Sequence, residues 1–150
     1  MVHTTLGLDR AWRGTRHRAA SPWHEAWRPE ADLSEVEPIL VVDDDPDSAD
    51  SLALLLSHWG HRVRVAYDGP HALEVYEQER PGLVLLDVAL PGMSGYEVAA
   101  RMNRHEHRAL LVALTGYEEL RGGSPSESGF AAHWIKPLDL SALKELLKRL

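Results

Sequence analysis

Five residues spread over this chain carry side chains that could do chemistry if brought together: the carboxylates of Asp43, Asp44 and Asp87, the hydroxyl of Thr115 and the ammonium of Lys136. Three carboxylates at one place repel one another unless a cation or a proton relieves them. An all-oxygen site of that kind suits Mg²⁺, which keeps several waters and commonly takes phosphoryl oxygens as further ligands. A carboxylate beside such an ion can attack phosphorus as a nucleophile. A hydroxyl and an ammonium nearby can hold the oxygens of the transferred group, a task of positioning and charge neutralisation. Singly, each residue has an ordinary reading as turn, cap or solvated surface. Their placement along the chain decides between the two.

Each of the five closes an apolar run. Ile39-Leu40-Val41-Val42 ends in Asp43-Asp44-Asp45, Leu83-Val84-Leu85-Leu86 runs into Asp87, and Leu110 to Leu114 ends at Thr115. Ala131 to Ile135 leads into Lys136-Pro137. Continuous apolar runs of this length read as strands covered on both faces of a parallel sheet. Arg62 to Ala66 reads as a further strand, second in chain order. Helices are expected between them. The first runs from Pro46 to Trp59, with Asp45 as its cap, Leu52, Leu55, Leu56 and Trp59 on one face, and Gly60 as its stop. A second covers His71 to Glu79, a third Gly95 to Arg104, and an amphipathic last helix Leu140 to Leu150 follows Asp139. Strands alternating with helices specify an α/β fold with right-handed crossovers. Five strands in this span predict a flavodoxin-like three-layer sandwich built on a five-stranded parallel sheet. Ligands of open α/β sheets bind beyond the carboxyl ends of the strands, where the strand order reverses. All five chemical residues fall there.

Composition fits one ordinary domain. The chain has 150 residues, 44% hydrophobic and 26% charged, the profile of a globular protein. The absence of cysteine rules out disulfides and thiolate chemistry and fits a reducing, cytoplasmic setting. No stretch is apolar enough to span a membrane and no signal-like apolar region opens the chain. A net charge of -7 argues against nucleic acid as a partner. Residues 1–37 differ from the rest: Trp12, Trp23 and Trp27 sit among five arginines, with Pro22 and Pro29 as breakers and no lasting periodicity. They read as a flexible N-terminal extension, with the domain proper over 38–150.

The segments Ile39 to Pro46, Leu83 to Gly95, Ala113-Leu114-Thr115-Gly116 and Lys136-Pro137 together resemble the receiver domains of two-component response regulators, the chemotaxis-receiver type included. The resemblance covers Pro38 to Leu150 and implies the strand order 2-1-3-4-5. It implies that Asp87 is the phosphoacceptor and that Asp43, Asp44, Asp87 and the backbone carbonyl of Ala89 form an Mg²⁺ site. It further implies that Thr115 is the switch hydroxyl, Lys136 the counter-ion of the phosphoryl group, and the bond before Pro137 cis. The partner is then a histidine kinase or histidine phosphotransfer protein. Signalling passes through protein contacts, and the only catalysis is of the chain's own phosphorylation and dephosphorylation, so it is not counted as an enzyme. The expected product is a single-domain receiver without an output domain, monomeric or a weak dimer. A phosphorylation-independent docking module with the same fold is the alternative.

Three departures from the family pattern matter. The aromatic switch position, three residues before the lysine, is His133, so a rotamer switch would be an imidazole and could respond to pH. The segment Gly116 to Gly129, where helix four belongs, contains Gly122-Gly123 and Pro125, so helix four is expected to be short or irregular. Ala89 and Tyr117, at positions resembling the family's tuners of phosphoryl lifetime, offer no carboxylate or amide to orient water.

Other readings are weaker. A haloacid-dehalogenase-like phosphatase would need Asp-x-Asp-x-Thr, and Asp47 stands where the threonine belongs. The Asp43, Asp45, Asp47 spacing of a calcium loop fails at Ser48 and Leu54. His105 and His107 flank Glu106 without a third metal ligand at a useful spacing. The leucines of the last helix, Leu140, Leu143, Leu146, Leu147 and Leu150, read as a core-facing stripe.

Overall fold

The structure, a computed structural model, describes residues 36–116 and 129–150. Five parallel strands form one sheet: β1 (Ile39–Val42), β2 (Val63–Ala66), β3 (Leu83–Asp87), β4 (Leu110–Thr115) and β5 (Ala132–Ile135), in the order β2-β1-β3-β4-β5. Three helices connect them in turn, α1 (Pro46–His58), α2 (Gly69–Glu79) and α3 (Gly95–Met102), and a C-terminal helix covers Leu140–Lys148. This is the flavodoxin-like order expected from the sequence.

The central strands show why an uninterrupted apolar run is needed. Successive side chains of a strand point to opposite faces, and both faces are covered. Ile39, Val41, Leu83, Leu85, Leu110 and Val112 pack with Leu56 of α1 and with Leu143, Leu146 and Leu147 of the C-terminal helix. Leu40, Val42, Val84, Leu86 and Leu111 pack on the other side with Ala72 and Tyr76 of α2 and Val98 and Met102 of α3. The edge strands β2 and β5 are less buried. At the start of β2 two arginines meet one acceptor: Arg62, just before the strand, and Arg64 within it both reach Glu79 Oε1, at 3.0 and 3.1 Å. Arg62 also donates to the carbonyl of Val36 at 3.2 Å, fixing where the chain enters the domain.

Details differ from the sequence reading where local chemistry intervenes. The second helix starts at Gly69 rather than His71, because Asp68 caps it by accepting from His71 N, which leaves Gly69 and Pro70 in the first turn. Asp45 stands at the N-cap of α1, yet its side chain accepts from Ser48 Oγ at 2.7 Å and caps no backbone amide. Asp139 does cap, accepting from Ser141 N and Ala142 N. Leu140 is exposed, so the buried stripe of the last helix starts at Leu143. The expected irregular helix four and Tyr117 fall outside the described residues, as does the N-terminal extension up to residue 35.

The turn from β3 into α3 is tied down tightly. Gly95 N donates to Val88 O at 3.1 Å, and a Cβ added at Gly95 would lie 2.5 Å from Val88 Cα and 2.6 Å from Asp87 O. Those obstacles are backbone, so the loop leaving Asp87 would have to move. Gly92 has open space around it but a φ of +84°. We expect Gly95→Ala to lower stability by about 2–4 kcal/mol, as overpacking against backbone does, and Gly92→Ala by only about 1 kcal/mol of left-handed strain. Urea denaturation of the two variants checks the ranking.

Candidate functional site

The carboxyl ends of the strands set the site. β1 pairs with β3, with Val42 opposite Leu86, so Asp43 and Asp87 emerge side by side between the two central strands. Backbone bonds hold both ends: Asp43 N donates to Ala66 O, Val88 N to Leu114 O, and Lys136 N to Thr115 O at 2.8 Å. Strand order reverses between β1 and β3, and the residues gathered there are those expected from the sequence.

Asp43 and Asp87 are held in the same way. One oxygen of each accepts from the amide two residues on, Asp45 N to Asp43 Oδ1 and Ala89 N to Asp87 Oδ1, both at 2.9 Å. Such Asx turns fix the carboxylate against its own backbone. The other oxygen of each faces the same cation: Lys136 Nζ lies 2.9 Å from Asp87 Oδ2 and 3.3 Å from Asp43 Oδ2. Both aspartates are buried, at 6% and 5% exposure, while Asp44 is exposed. Ligand oxygens of Asp43, Asp44 and Asp87 lie within 4.8 Å of one another. Burial raises the Asp43 carboxyl above the usual carboxylate range; the Asp45 amide and Lys136 oppose that rise, and the Asp87 charge adds to it. Burial alone would lower the Lys136 ammonium, but the hydrogen bond and charge of Asp87, joined by Asp43, hold it above its ordinary value.

The donor set therefore fits a hard divalent cation. It is all carboxylate, partly open to solvent through Asp44, and one lysine cannot by itself balance three negative charges. Among the described residues no other group places three such ligand atoms so close. His105 and His107 pack instead against the ring of Tyr76, with centroids 5.6 and 5.5 Å away. His107 Nε2 donates to Pro81 O at 2.6 Å, while the Tyr76 hydroxyl donates to His107 O. They line a polar cavity of about 250 Å³, and their described contacts are those of packing.

Thr115 is fully buried at the end of β4, and its Oγ1 has no hydrogen-bond partner among the described residues. His133 sits on β5 with its Nε2 likewise buried and unpartnered. Ala89 is exposed beside the site, contributing its amide to Asp87. One feature escapes a reading of the sequence: Tyr96 of α3, Phe130 and His133 form an aromatic cluster, with centroids 5.3 to 6.4 Å apart. Phe130 three residues before His133 was a faint signal for it. Nothing in the local pattern points to Tyr96.

A family model described as the response regulator receiver domain matches residues 39–148. The chain is 34% identical over 114 residues to sporulation initiation phosphotransferase F of Bacillus subtilis, covering 75% of this chain and 92% of that protein. It is similar in structure to the response regulator protein TrrA of Thermotoga maritima, solved in complex with Mg²⁺-BeF, with a TM-score of 0.67 and 32% identity over 76% of this chain and 98% of that one. A receiver domain protein from Clostridium thermocellum, at 20% identity and a TM-score of 0.70 over 76% and 93% of the two chains, shares the fold.

The raised Asp43 carboxyl carries a sign. The folded chain binds this proton more tightly than the unfolded chain does. The ionised group therefore costs stability at neutral pH, and the cost fades as pH falls through its raised value. Neutralising it should act in the same direction. We expect Asp43→Asn to stabilise the metal-free protein at neutral pH by about 1 kcal/mol, and to abolish the rise in melting temperature that we expect Mg²⁺ to give the unaltered chain. Thermal denaturation with and without Mg²⁺ reads both.

Proposed function

This chain belongs to the response regulator receiver domain family, and from that premise we propose that it accepts a phosphoryl group on Asp87 from a histidine kinase or histidine phosphotransfer protein. The observation that carries the proposal is the Lys136 ammonium bridging Asp87 and Asp43 at the strand ends, beside Asp44 and Thr115. It is a carboxylate nucleophile already paired with the cation its product would need.

In the proposed reaction a carboxylate oxygen of Asp87 attacks the phosphorus of a phosphohistidine. A new P–O bond forms, the P–N bond breaks, and its electron pair stays on the donor imidazole. The product is a mixed anhydride, aspartyl phosphate. Asp43, Asp44, Asp87 and the carbonyl of Ala89 would hold Mg²⁺, which when bound supplies positive charge for the phosphoryl oxygens. The remaining work falls to the chain itself. The Ala89 amide orients Asp87. Lys136 exchanges a carboxylate oxygen for a phosphoryl oxygen as the charge moves outward from the strand end. The Thr115 hydroxyl, buried without a described partner, has a bond to gain from a phosphoryl oxygen. Such a gain on charging is how a local electrostatic event biases a two-state surface.

In this role the chain changes only its own phosphorylation state and acts on no separate substrate. Its output is a contact with another protein, and its site of action is the cytoplasm, where phosphohistidine donors of this class work. No helix among the described residues is long and apolar enough to cross a membrane.

Intact-protein mass after incubation with acetyl phosphate tests the proposal. A gain of one phosphoryl group that requires Mg²⁺ and is absent in Asp87→Asn is the expected result. No gain in a folded, Mg²⁺-binding protein would favour a docking module that works without phosphorylation. Lys136→Met should slow the gain by about a hundredfold, the scale of losing one charge-stabilising donor.

Reversal needs water to attack the phosphorus and release Asp87. Neither Ala89 nor Tyr117 offers a carboxylate or amide to orient that water. The acyl phosphate should therefore persist for minutes or longer in Mg²⁺ after the donor is removed, and decay within seconds would contradict this assignment of the two positions.

A further inference from the structure

Two buried polar atoms lack a hydrogen-bond partner among the described residues, Thr115 Oγ1 and His133 Nε2. They lie on neighbouring strands. Ala113 is opposite His133 and Thr115 opposite Ile135, so Thr115 and His133 sit diagonally on one face of the sheet. The imidazole is stacked at 29° on Tyr96 and meets Phe130 edge-on at 5.3 Å. Burial holds it below its ordinary proton affinity.

A neutral imidazole can leave one ring nitrogen unpaired at modest cost. An imidazolium has two N–H donors and needs two acceptors, and at Nε2 none is described. Protonation must therefore turn the ring away from Tyr96 and Phe130, or bring Thr115 Oγ1 onto Nε2. Each course reaches the acidic site. The first unpacks the strand that leads to Lys136, whose amide is bonded to Thr115 O. The second engages the hydroxyl that the phosphoryl group would otherwise take.

Resting on the phosphoacceptor reading above, we propose that a proton on His133 and a phosphoryl group on Asp87 oppose one another, so that His133 makes charging of the site sensitive to pH. Several groups bear on the ring. From α3 it faces the Tyr96 phenol, and Glu97 beside it is paired with Arg101 at 3.9 Å. From β4 it faces Ala113 and, diagonally, Thr115, neither of which titrates. Along its own strand the nearest charge is Lys136, engaged with Asp43 and Asp87. Glu118, Glu119 and Glu127 lie outside the described residues. The negative charge of a phosphoryl group is offset at its own site by Lys136 and the bound cation, so the competition for Thr115 sets the sign. Charging lowers the proton affinity of His133. Linkage makes the effect reciprocal, and acidification through the imidazole range weakens charging.

The test is an NMR titration of the His133 ring in the full chain, identified by its loss in His133→Phe. It is run without additions and again with Mg²⁺ and beryllofluoride as the phosphoryl mimic. The amide of Ala89 reports whether the site has loaded. The expected result is a ring that titrates below the ordinary imidazole value and falls by about half a unit on loading, equivalent to about threefold weaker loading at the acid end. His133→Phe should lose that component of the pH dependence of loading; if it does not fold, His133→Tyr serves the same purpose. A ring that titrates identically in both states, or rises on loading, overturns the proposal while leaving the phosphoacceptor reading intact. An Ala89 amide unmoved by Mg²⁺ and beryllofluoride overturns that reading, and this inference with it.

Discussion

The structure turns on an electrostatic imbalance at the carboxyl edge of the sheet. Asp43 and Asp87 are buried side by side, Asp44 lies close by, and among the described residues the Lys136 ammonium is the one cation paired with the first two. Burying like charges is costly unless they are paired and hydrogen-bonded. The fold meets part of that cost through two Asx turns and one bridging lysine, and leaves the remainder as an affinity for further positive charge. A site in this condition is poised to take up a cation and, with it, an anionic group that the cation and the lysine can share.

The rest of the architecture serves to hold that imbalance in place. β1 and β3 are buried on both faces, so neither strand end can retreat from the other without opening the core. Gly95 lets α3 begin close against the Asp87 backbone, and the Ala89 amide fixes the carboxylate. Lys136 directly follows the half-buried edge strand β5 and reaches both aspartates from there. Asp87 is thus held by the two central strands and by its own Asx turn, while Lys136 reaches it from the edge of the sheet.

Much of this was legible in the sequence because burial on both faces leaves a direct trace. Ile39 to Val42, Leu83 to Leu86 and Leu110 to Leu114 are apolar without interruption, and each ends in the residue that matters. What was less legible depends on side chains meeting across elements. That one lysine would bridge both aspartates cannot be read from the distance between positions 43, 87 and 136. Nor can the stacking of Tyr96 on His133, which joins a helix to a strand packed over it. Local chemistry produced the smaller differences: Ser48 takes the side chain of Asp45 away from capping, and the Asp68 cap places Gly69 and Pro70 in the first turn of α2, where a proline needs no N–H partner. The exposure of Leu140 reflects its place at the first position of the last helix, ahead of the stripe that meets the sheet.

The central claim is that Asp87, and none of the neighbouring carboxylates, becomes the acyl phosphate. Reductive trapping tests it most directly. Borohydride converts an aspartyl phosphate to homoserine, and tandem mass spectrometry of the digested protein locates the converted residue. The account predicts homoserine at position 87 alone, dependent on both Mg²⁺ and phosphodonor. Homoserine at 43 or 44, or conversion that proceeds equally without Mg²⁺, would contradict it.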